Sequence, residues 1–239
     1  MTTELRICYT RRVLGTRIQE VRDRMKFAAG RAGRRLEEIR LMAVTKTRDR
    51  PTVEKAISLG LVLLGENRVQ EAQDKFQPPI TQAELHLIGH LQSNKARLVP
   101  GLFSWVESVD SVKIAAAISR HCSDAGTECD LLLEYNCSGE DSKFGYVDGD
   151  TLIRDAQTIL RLPSIRLRGI MTIGPFTTDT DRIVRAFSMT RGIMERLRAE
   201  SPGERLDTLS MGMSDDFELA IAEGSTQVRL GSVLFGARE

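Results

Sequence analysis

Lys46 is the residue in this chain whose position most clearly suggests covalent chemistry. It follows an apolar, strand-like run from Leu41 to Thr45, and the polar cluster Thr47–Pro51 after it is typical of a loop leading into a helix. A lysine at the end of a rigid strand is well placed to reach into a pocket at the mouth of an α/β fold. If an aldehyde were held there, the amine would form a Schiff base. The alternative is an ordinary solvated lysine, since most lysines are exposed.

A second chemical signal lies at the end of the last predicted strand, where Gly231 and Ser232 follow one another. A glycine beside a hydroxyl can present backbone N–H groups to an anion. In barrels, the loops after the last two strands often form a phosphate site. Ser210 ends the preceding predicted strand, so we expect its hydroxyl to contribute to the same anion site. The alternative for Gly231 and Ser232 is an ordinary turn.

Four further polar residues lie near the ends of predicted strands, and their roles are less definite. Arg229 either faces inward and pairs with a carboxylate or directs its charge at a ligand. Asn67 is a candidate amide donor. Asp215 and Asp216 follow Ser214 at an expected helix start, where acids favour the helix dipole, so we assign them to capping rather than to catalysis.

The elements that must position these residues alternate between short apolar runs and helical stretches. A first helix, ending near Gly33, is predicted from the repeat of Leu14, Ile18, Val21, Met25 and Ala28. Eight strands are predicted after it, at Arg40–Thr45, Leu61–Leu64, Leu85–Ile88, Phe103–Val106, Cys129–Tyr135, Arg166–Met171, Leu206–Leu209 and Gln227–Leu230. The helices between them are predicted at Pro51–Leu59, Arg68–Phe76, Val112–Ala125, Thr151–Leu160, Asp181–Ala199 and Asp215–Glu223, with Asp110 and Ser214 among the capping residues.

This alternation predicts a single-domain (β/α)8 TIM barrel over residues 1–239, with an extra N-terminal helix. Dense strand–helix alternation favours a parallel sheet, and eight strands in 239 residues favour closure over an open doubly wound sheet. No glycine-rich dinucleotide-binding motif follows the first strand. In a barrel the strand ends gather at one face, so Lys46, Asn67, Ser210, Arg229, Gly231 and Ser232 are expected to share one site.

Composition narrows the class of protein. Lys and Arg number 34 against 33 Asp and Glu, a formal charge of +1, so no global field attracts nucleic acid or an anionic membrane. Met1–Arg6 carries acid and base with no apolar run after it, which predicts a cytoplasmic protein without a leader.

The four cysteines are expected to be reduced thiols: Cys8, Cys122, Cys129 and Cys137. His86 and His90 lie four residues apart, but they follow a strand pattern and we predict no metal site.

Several motifs in order resemble the YggS/PROSC family of pyridoxal 5′-phosphate (PLP) homeostasis proteins. They lie at residues 44–47 (VTKT), 65–71 (GENRVQE), 86–95 (HLIGHLQSNK), 138–145 (SGEDSKFG), 210–216 (SMGMSDD) and 228–231 (VRLG), followed by 235–236 (FG). The match runs from about Leu41 to the C-terminus, and the first forty residues match only as a helix. The resemblance implies a barrel like the N-terminal domain of alanine racemase.

The resemblance also implies roles for the site residues. Lys46 would hold PLP as an internal aldimine, while Ser210, Gly231 and Ser232 would hold its phosphate. Arg229 would face the pyridine nitrogen and Asn67 would lie beside the ring. Because a guanidinium stays protonated, Arg229 disfavours a pyridinium and leaves the ring a weak electron sink.

We therefore predict a PLP carrier or regulator in intracellular vitamin B6 homeostasis rather than an efficient enzyme. Racemisation needs a base on each face of the α-carbon, and Lys46 supplies one. Alanine racemase takes the second base from a further domain, which we do not expect in a chain that ends at Glu239. The alternative is an enzyme, either a weak amino-acid racemase or a lysine-dependent aldolase. Expected partners are PLP and apo-forms of PLP enzymes, and we expect a monomer or at most a weak dimer.

Overall fold

The computed structural model describes residues 3–236, with side chains from residue 13 onward, and its strands form a closed parallel barrel. Neighbouring strands follow sequence order around the barrel, and β1 closes it by pairing with both β2 and β8. The strands are Arg40–Val44 (β1), Leu63–Glu66 (β2), Glu84–Leu87 (β3), Trp105–Val109 (β4), Cys129–Tyr135 (β5), Ile165–Thr172 (β6), Thr208–Ser210 (β7) and Gln227–Leu230 (β8). The predicted (β/α)8 barrel is confirmed.

Helices cover the outside of the barrel. Within the described range they are Thr3–Arg31 (α1), Arg50–Ser58 (α2), Val69–Lys75 (α3), Val112–Ala125 (α4), Gly149–Ile159 (α5), Thr180–Glu200 (α6), Phe217–Ala222 (α7) and Ser232–Phe235 (α8). Short 3₁₀ helices occupy Leu36–Glu38 and Ser93–Leu98, and the second of these connects β3 to β4 in place of an α-helix. The predicted N-terminal helix is α1. Its apolar stripe, from Leu14 to Ala28, is buried, and it packs against α7 and α8.

β2, β4 and β7 each begin two residues later than predicted, and the shift matters most for β2 and β4. β2 was predicted at Leu61–Leu64 and β4 at Phe103–Val106, because the apolar runs begin there. The first residues that pair with the neighbouring strand lie further along the chain, because the register places Leu63 opposite Glu84 and His86 opposite Trp105. Glu66 and Glu107 consequently lie within strands, and both side chains are completely buried.

The helix caps also differ from the prediction. Ser111, rather than Asp110, caps α4 by accepting the Ile114 N–H. Ser214 does not cap α7, because its hydroxyl accepts the Val233 N–H instead. Asp216 occupies the N-cap position of α7 without a capping hydrogen bond, and its carboxylate accepts the Met213 N–H at 2.6 Å. The acid therefore stabilises the loop before the helix.

Apolar packing divides into two regions. The large cluster fills the space between the strands and the helices, whereas Trp105, Leu132 and Met171 form a separate cluster. Cys122, Cys129 and Cys137 are buried free thiols, as expected, while the expectations for Met1–Arg6, Cys8 and Glu239 lie outside the described side chains. None of the helices within residues 3–236 has the length and apolar character needed to cross a bilayer.

Candidate functional site

A cavity of about 260 Å³ opens among the loops that follow the strands. It lies at the end of the barrel where the carboxyl-terminal ends of the parallel strands meet. The structure brings five of the six predicted site residues to its wall: Lys46, Asn67, Arg229, Gly231 and Ser232. Arg48 and Met213 also line the wall, as do Ser214 and Asp215, whose sequence pattern predicts helix capping and not a role in the site. The predicted convergence of β1, β2 and β8 therefore produces one site.

Lys46 is half-buried and is held by hydrogen bonds to the residues on either side of it. The Thr45 N–H donates to the Gly65 carbonyl, which extends the pairing of β1 with β2 by one residue. The Thr45 carbonyl accepts from Lys75 Nζ at 2.8 Å, and the Thr47 N–H donates to the Glu71 carboxylate at 2.5 Å. Thr47 has a φ of 64°, which turns the chain away from the strand. Helix α3 thus fixes the backbone that carries Lys46.

A buried charge cluster supports this loop. Lys75 Nζ lies 2.7 Å from Glu66 Oε1 and 3.0 Å from Glu71 Oε1, and Thr45 Oγ1 donates to the same Glu66 oxygen at 2.6 Å. Burial raises the pKa of Glu66, and Lys75 and Thr45 only partly oppose it. For Glu71, burial acts in the same direction, but the Thr47 N–H and Lys75 outweigh it and hold the pKa below its usual value.

Asn67 is placed by a close approach of two loops. A Cβ on Gly89 would lie 2.2 Å from the Asn67 carbonyl oxygen, so the chain after β3 can cross here only as glycine. The Ile88 N–H donates to the Glu66 carbonyl beside it. Asn67 therefore has a fixed backbone at the cavity wall.

The loops after β7 and β8 meet at the wall opposite this crossing. Gly231 and Ser232 begin α8, and the Gly231 carbonyl accepts the Leu234 and Phe235 N–H groups. The first N–H groups of a helix have no partner within it and can face an anion. Ser214 joins the two loops through its 3.4 Å hydrogen bond from the Val233 N–H.

Ser210 is the predicted site residue that the structure places elsewhere. It ends β7 with its hydroxyl completely buried, donating to Glu107 Oε2 at 2.7 Å and accepting from Gln227 and Arg229. It does not line the cavity, whereas Met213 and Ser214, further along the same loop, do. Ser214 is the serine at the wall. The prediction chose the first serine of the 210–214 motif, where the second is the one that reaches the cavity.

Arg229 enters the cavity from beneath. Its side chain is buried, with Nη1 donating to the Ser210 carbonyl and hydroxyl at 2.8 and 2.7 Å and Nη2 donating to the Thr172 carbonyl at 2.7 Å. Burial lowers its pKa, while the charges of Glu107, Asp216 and Glu134 oppose that effect. Arg229 therefore faces inward and lines the cavity, and its role toward a ligand stays a prediction.

Gly212 allows the loop after β7 to pack close to α7, and we expect its replacement to be costly. Its φ is +98°, and an added Cβ would lie 2.6 Å from Ala220 Cβ and 2.9 Å from Phe217 Cα. Gly203 has a similar φ of +94° with no atom near its Cβ position, so it is a matched control. We expect Gly203→Ala to cost about 1 kcal/mol through backbone strain and Gly212→Ala about 1–3 kcal/mol more through overpacking, measured by urea unfolding. Equal losses would show that the contact with α7 relaxes.

Comparison with known proteins is consistent with this geometry. A sequence profile described as alanine racemase, N-terminal domain, matches residues 18–239. The chain is 41% identical over 229 residues to the pyridoxal phosphate homeostasis protein of Escherichia coli, covering 93% of this chain and 95% of that protein. A protein of the same name from Pseudomonas aeruginosa is 42% identical over 229 residues. The chain belongs to the pyridoxal phosphate homeostasis protein family.

Solved structures extend this family comparison. PipY of Synechococcus elongatus, determined with PLP bound, is 32% identical and superposes with a TM-score of 0.80, covering 93% of this chain and all of that one. Alanine racemase of Clostridium difficile superposes with a TM-score of 0.71 at 15% identity, and this chain spans 57% of it. The second likeness shows the fold alone. The family match begins at residue 18, so it includes the second half of α1, which the sequence motifs did not cover.

Proposed function

We propose that this chain binds PLP in the cavity at the end of the barrel and serves in PLP homeostasis as a carrier or regulator. In the proposed complex, Lys46 Nζ forms a Schiff base with the PLP aldehyde. The observation that carries the proposal is the convergence of Lys46, Asn67, Arg229, Gly231 and Ser232 on one cavity wall. PLP-bound PipY and the name of the curated relatives support the same ligand.

The groups at the cavity wall fit the chemistry of PLP. Its phosphate needs N–H and hydroxyl donors, and the first turn of α8 with Ser214 offers both. We therefore assign the phosphate to Gly231, Ser232 and Ser214, and we replace Ser210 in that role because its hydroxyl is buried beneath the cavity. Asn67, whose backbone is held by the close approach of Gly89, would pack beside the ring.

Arg229 supports a binding role over strong catalysis. PLP, when bound, supplies an aldehyde for amine capture and a ring that withdraws electrons best when its nitrogen is protonated. A guanidinium facing that nitrogen can donate a hydrogen bond but does not give up a proton at physiological pH. Burial lowers the pKa of Arg229, but the charges of Glu107, Asp216 and Glu134 oppose that effect, so the proposed site suits reversible capture of the aldehyde.

Reduction of the PLP-treated full chain with borohydride, followed by peptide mapping, tests the proposal. We expect the treated protein to be yellow and the reduced adduct to lie on Lys46. Lys95 lies in a neighbouring groove, and Lys143 Nζ is bound to Ser138, Glu140 and the Gly174 carbonyl. A colourless protein, or an adduct on Lys95 or Lys143 in place of Lys46, would overturn the assignment.

The carrier role has its own test. The PLP-loaded chain is mixed with the apo-form of a PLP enzyme, and recovery of that enzyme's activity is compared with the rate at which the chain releases PLP into solution. Recovery faster than release supports direct transfer, and equal rates argue against it. Racemase or retro-aldol turnover of the loaded chain near ~10 per second would contradict the non-catalytic role.

A further inference from the structure

Beneath the cavity, a chain of polar side chains runs through the inside of the barrel. It begins at Arg229, passes through Ser210 to Glu107, and continues through His86 to Glu84, which also pairs with Arg40. Glu107 and His86 are completely buried, whereas Glu84 is about half exposed. Burying a carboxylate costs free energy unless hydrogen bonds and opposite charge compensate it, so the buried position of Glu107 requires an explanation.

Glu107 is the centre of the chain. Its Oε1 receives hydrogen bonds from His86 Nδ1 at 2.6 Å and from Gln227 Nε2 at 2.7 Å, and its Oε2 receives the Ser210 hydroxyl. Burial alone would raise its pKa, but the hydrogen bond and charge of His86, the charge of Arg229 and the Ser210 hydroxyl hold that pKa below the ordinary glutamate value. His86 is itself fixed by stacking on Trp105, with ring centroids 4.9 Å apart.

The hydroxyl of Ser210 transmits this arrangement to Arg229. A hydroxyl has one hydrogen and two acceptor positions. Ser210 gives its hydrogen to Glu107, so its acceptor positions face Gln227 Nε2 at 3.1 Å and Arg229 Nη1 at 2.7 Å. The negative charge at residue 107 thus determines which way the hydroxyl points, and the hydroxyl helps to fix the guanidinium.

We propose that Glu107 is a positioning residue for the PLP site, which holds Arg229 through Ser210 and balances its charge where the ring nitrogen would lie. This inference rests on the proposed function, because it concerns the ligand-facing role of Arg229. Other groups that act on the charge of Arg229 include the carboxyls of Glu134 in β5 and Asp216 before α7. Burial raises the pKa of the Cys137 thiol, after β5, which keeps that group uncharged at neutral pH. Glu107 differs from Glu134 and Asp216 in being joined to Arg229 through a shared hydrogen-bond partner.

Glu107→Gln tests the proposal, since it removes the charge and keeps the shape. With an amide at residue 107, one hydrogen bond to Ser210, Gln227 or His86 must be lost or reversed. Loss of a negative charge makes the site more positive, which disfavours a protonated ligand. We expect the pH midpoint of the PLP absorption band to fall by about 0.5–1 unit and PLP to bind about tenfold more weakly.

Two matched variants separate positioning from mere structural support. Glu107→Gln combined with Gln227→Glu returns one carboxylate and one amide to the same pair, so we expect the midpoint and the affinity to recover. Glu54→Gln makes the same exchange at an exposed carboxylate outside this network, so it should leave both unchanged. A wild-type midpoint and affinity in folded Glu107→Gln would overturn the proposal, as would failure of the exchanged pair to recover.

A measurement without PLP distinguishes this proposal from the proposed function. The NMR signal of the Arg229 guanidinium in the ligand-free chain, assigned by its loss in Arg229→Lys, should broaden or exchange faster in Glu107→Gln and recover in the exchanged pair. If Lys46 takes up no PLP but this signal responds as expected, the proposed function fails and the Glu107–Arg229 coupling stands. An unaltered signal together with normal PLP uptake would refute the coupling alone.

Discussion

Lys46→Ala is expected to abolish the borohydride-stable PLP adduct completely. The variant removes the one amine that the sequence and the cavity wall together assign to the aldehyde, while Arg229 and the loops after β7 and β8 remain. PLP should therefore still bind reversibly through its phosphate and ring, but it should wash out on dialysis. Mass spectrometry after reduction measures this directly, as the fall from about one adduct per chain to none, by the chemistry of Schiff-base capture.

Lys113→Ala is the matched control for that result. Lys113 is an exposed lysine of α4 and is not part of the cavity wall, so its loss should leave the adduct in place. An unchanged unfolding midpoint in Lys46→Ala would show that the adduct is lost through chemistry and not through misfolding. An adduct that persists in Lys46→Ala at wild-type level would reject Lys46 as the tether.

The sequence predicted the barrel because the strand and helix patterns repeat strongly along the chain. The sequence also predicted that Lys46, Asn67 and Arg229 lie at one face of the barrel, because the carboxyl-terminal ends of parallel strands meet there. The bounds of β5, β8 and α4 agree with the prediction to the residue. These successes depend on local periodicity and on one topological rule.

The interior of the barrel could not be predicted in the same way. Glu107 and Gln227 are buried strand residues, each with an apolar residue on one side, and a polar residue beside an apolar one is also typical of a strand with one face in water. Sequence periodicity does not distinguish water from a polar barrel interior. For the same reason Ser210, which looked like a cavity residue at a strand end, is a buried link between Glu107 and Arg229.

Glu66 illustrates a further limit, because its environment depends on residues that follow it along the chain. The structure pairs it with Lys75, at the far end of α3. The helical turns of α3 bring Lys75 and Glu71 back over the end of β1. The support of Lys46 is therefore tertiary, and a prediction about stability follows from it.

Lys75→Met is expected to lower the free energy of unfolding by about 3–5 kcal/mol at neutral pH, because it leaves the buried Glu66 carboxylate without its ion-pair partner. The Thr45 carbonyl, next to Lys46, loses its hydrogen bond from the same ammonium group. PLP uptake should therefore weaken as well. Urea unfolding measures the first effect, and titration with PLP measures the second.

The pH dependence of Lys75→Met identifies the cause of this loss. The pKa of Glu66 is higher in the folded protein than its ordinary value of 4.5. Between these two pKa values the folded state binds more protons than the unfolded state, so the free energy of unfolding falls as pH rises. Removing Lys75 removes an interaction that lowers this pKa, so the loss of stability should be largest near neutral pH and shrink as pH falls toward 4.5.

Adding Glu66→Gln to Lys75→Met should recover much of the lost stability, because the buried charge is then absent. Arg196→Met, which breaks the exposed pair with Asp150, should change little. A deficit independent of pH, or one that Glu66→Gln does not relieve, would attribute the loss to packing of the Lys75 side chain and not to the charge of Glu66.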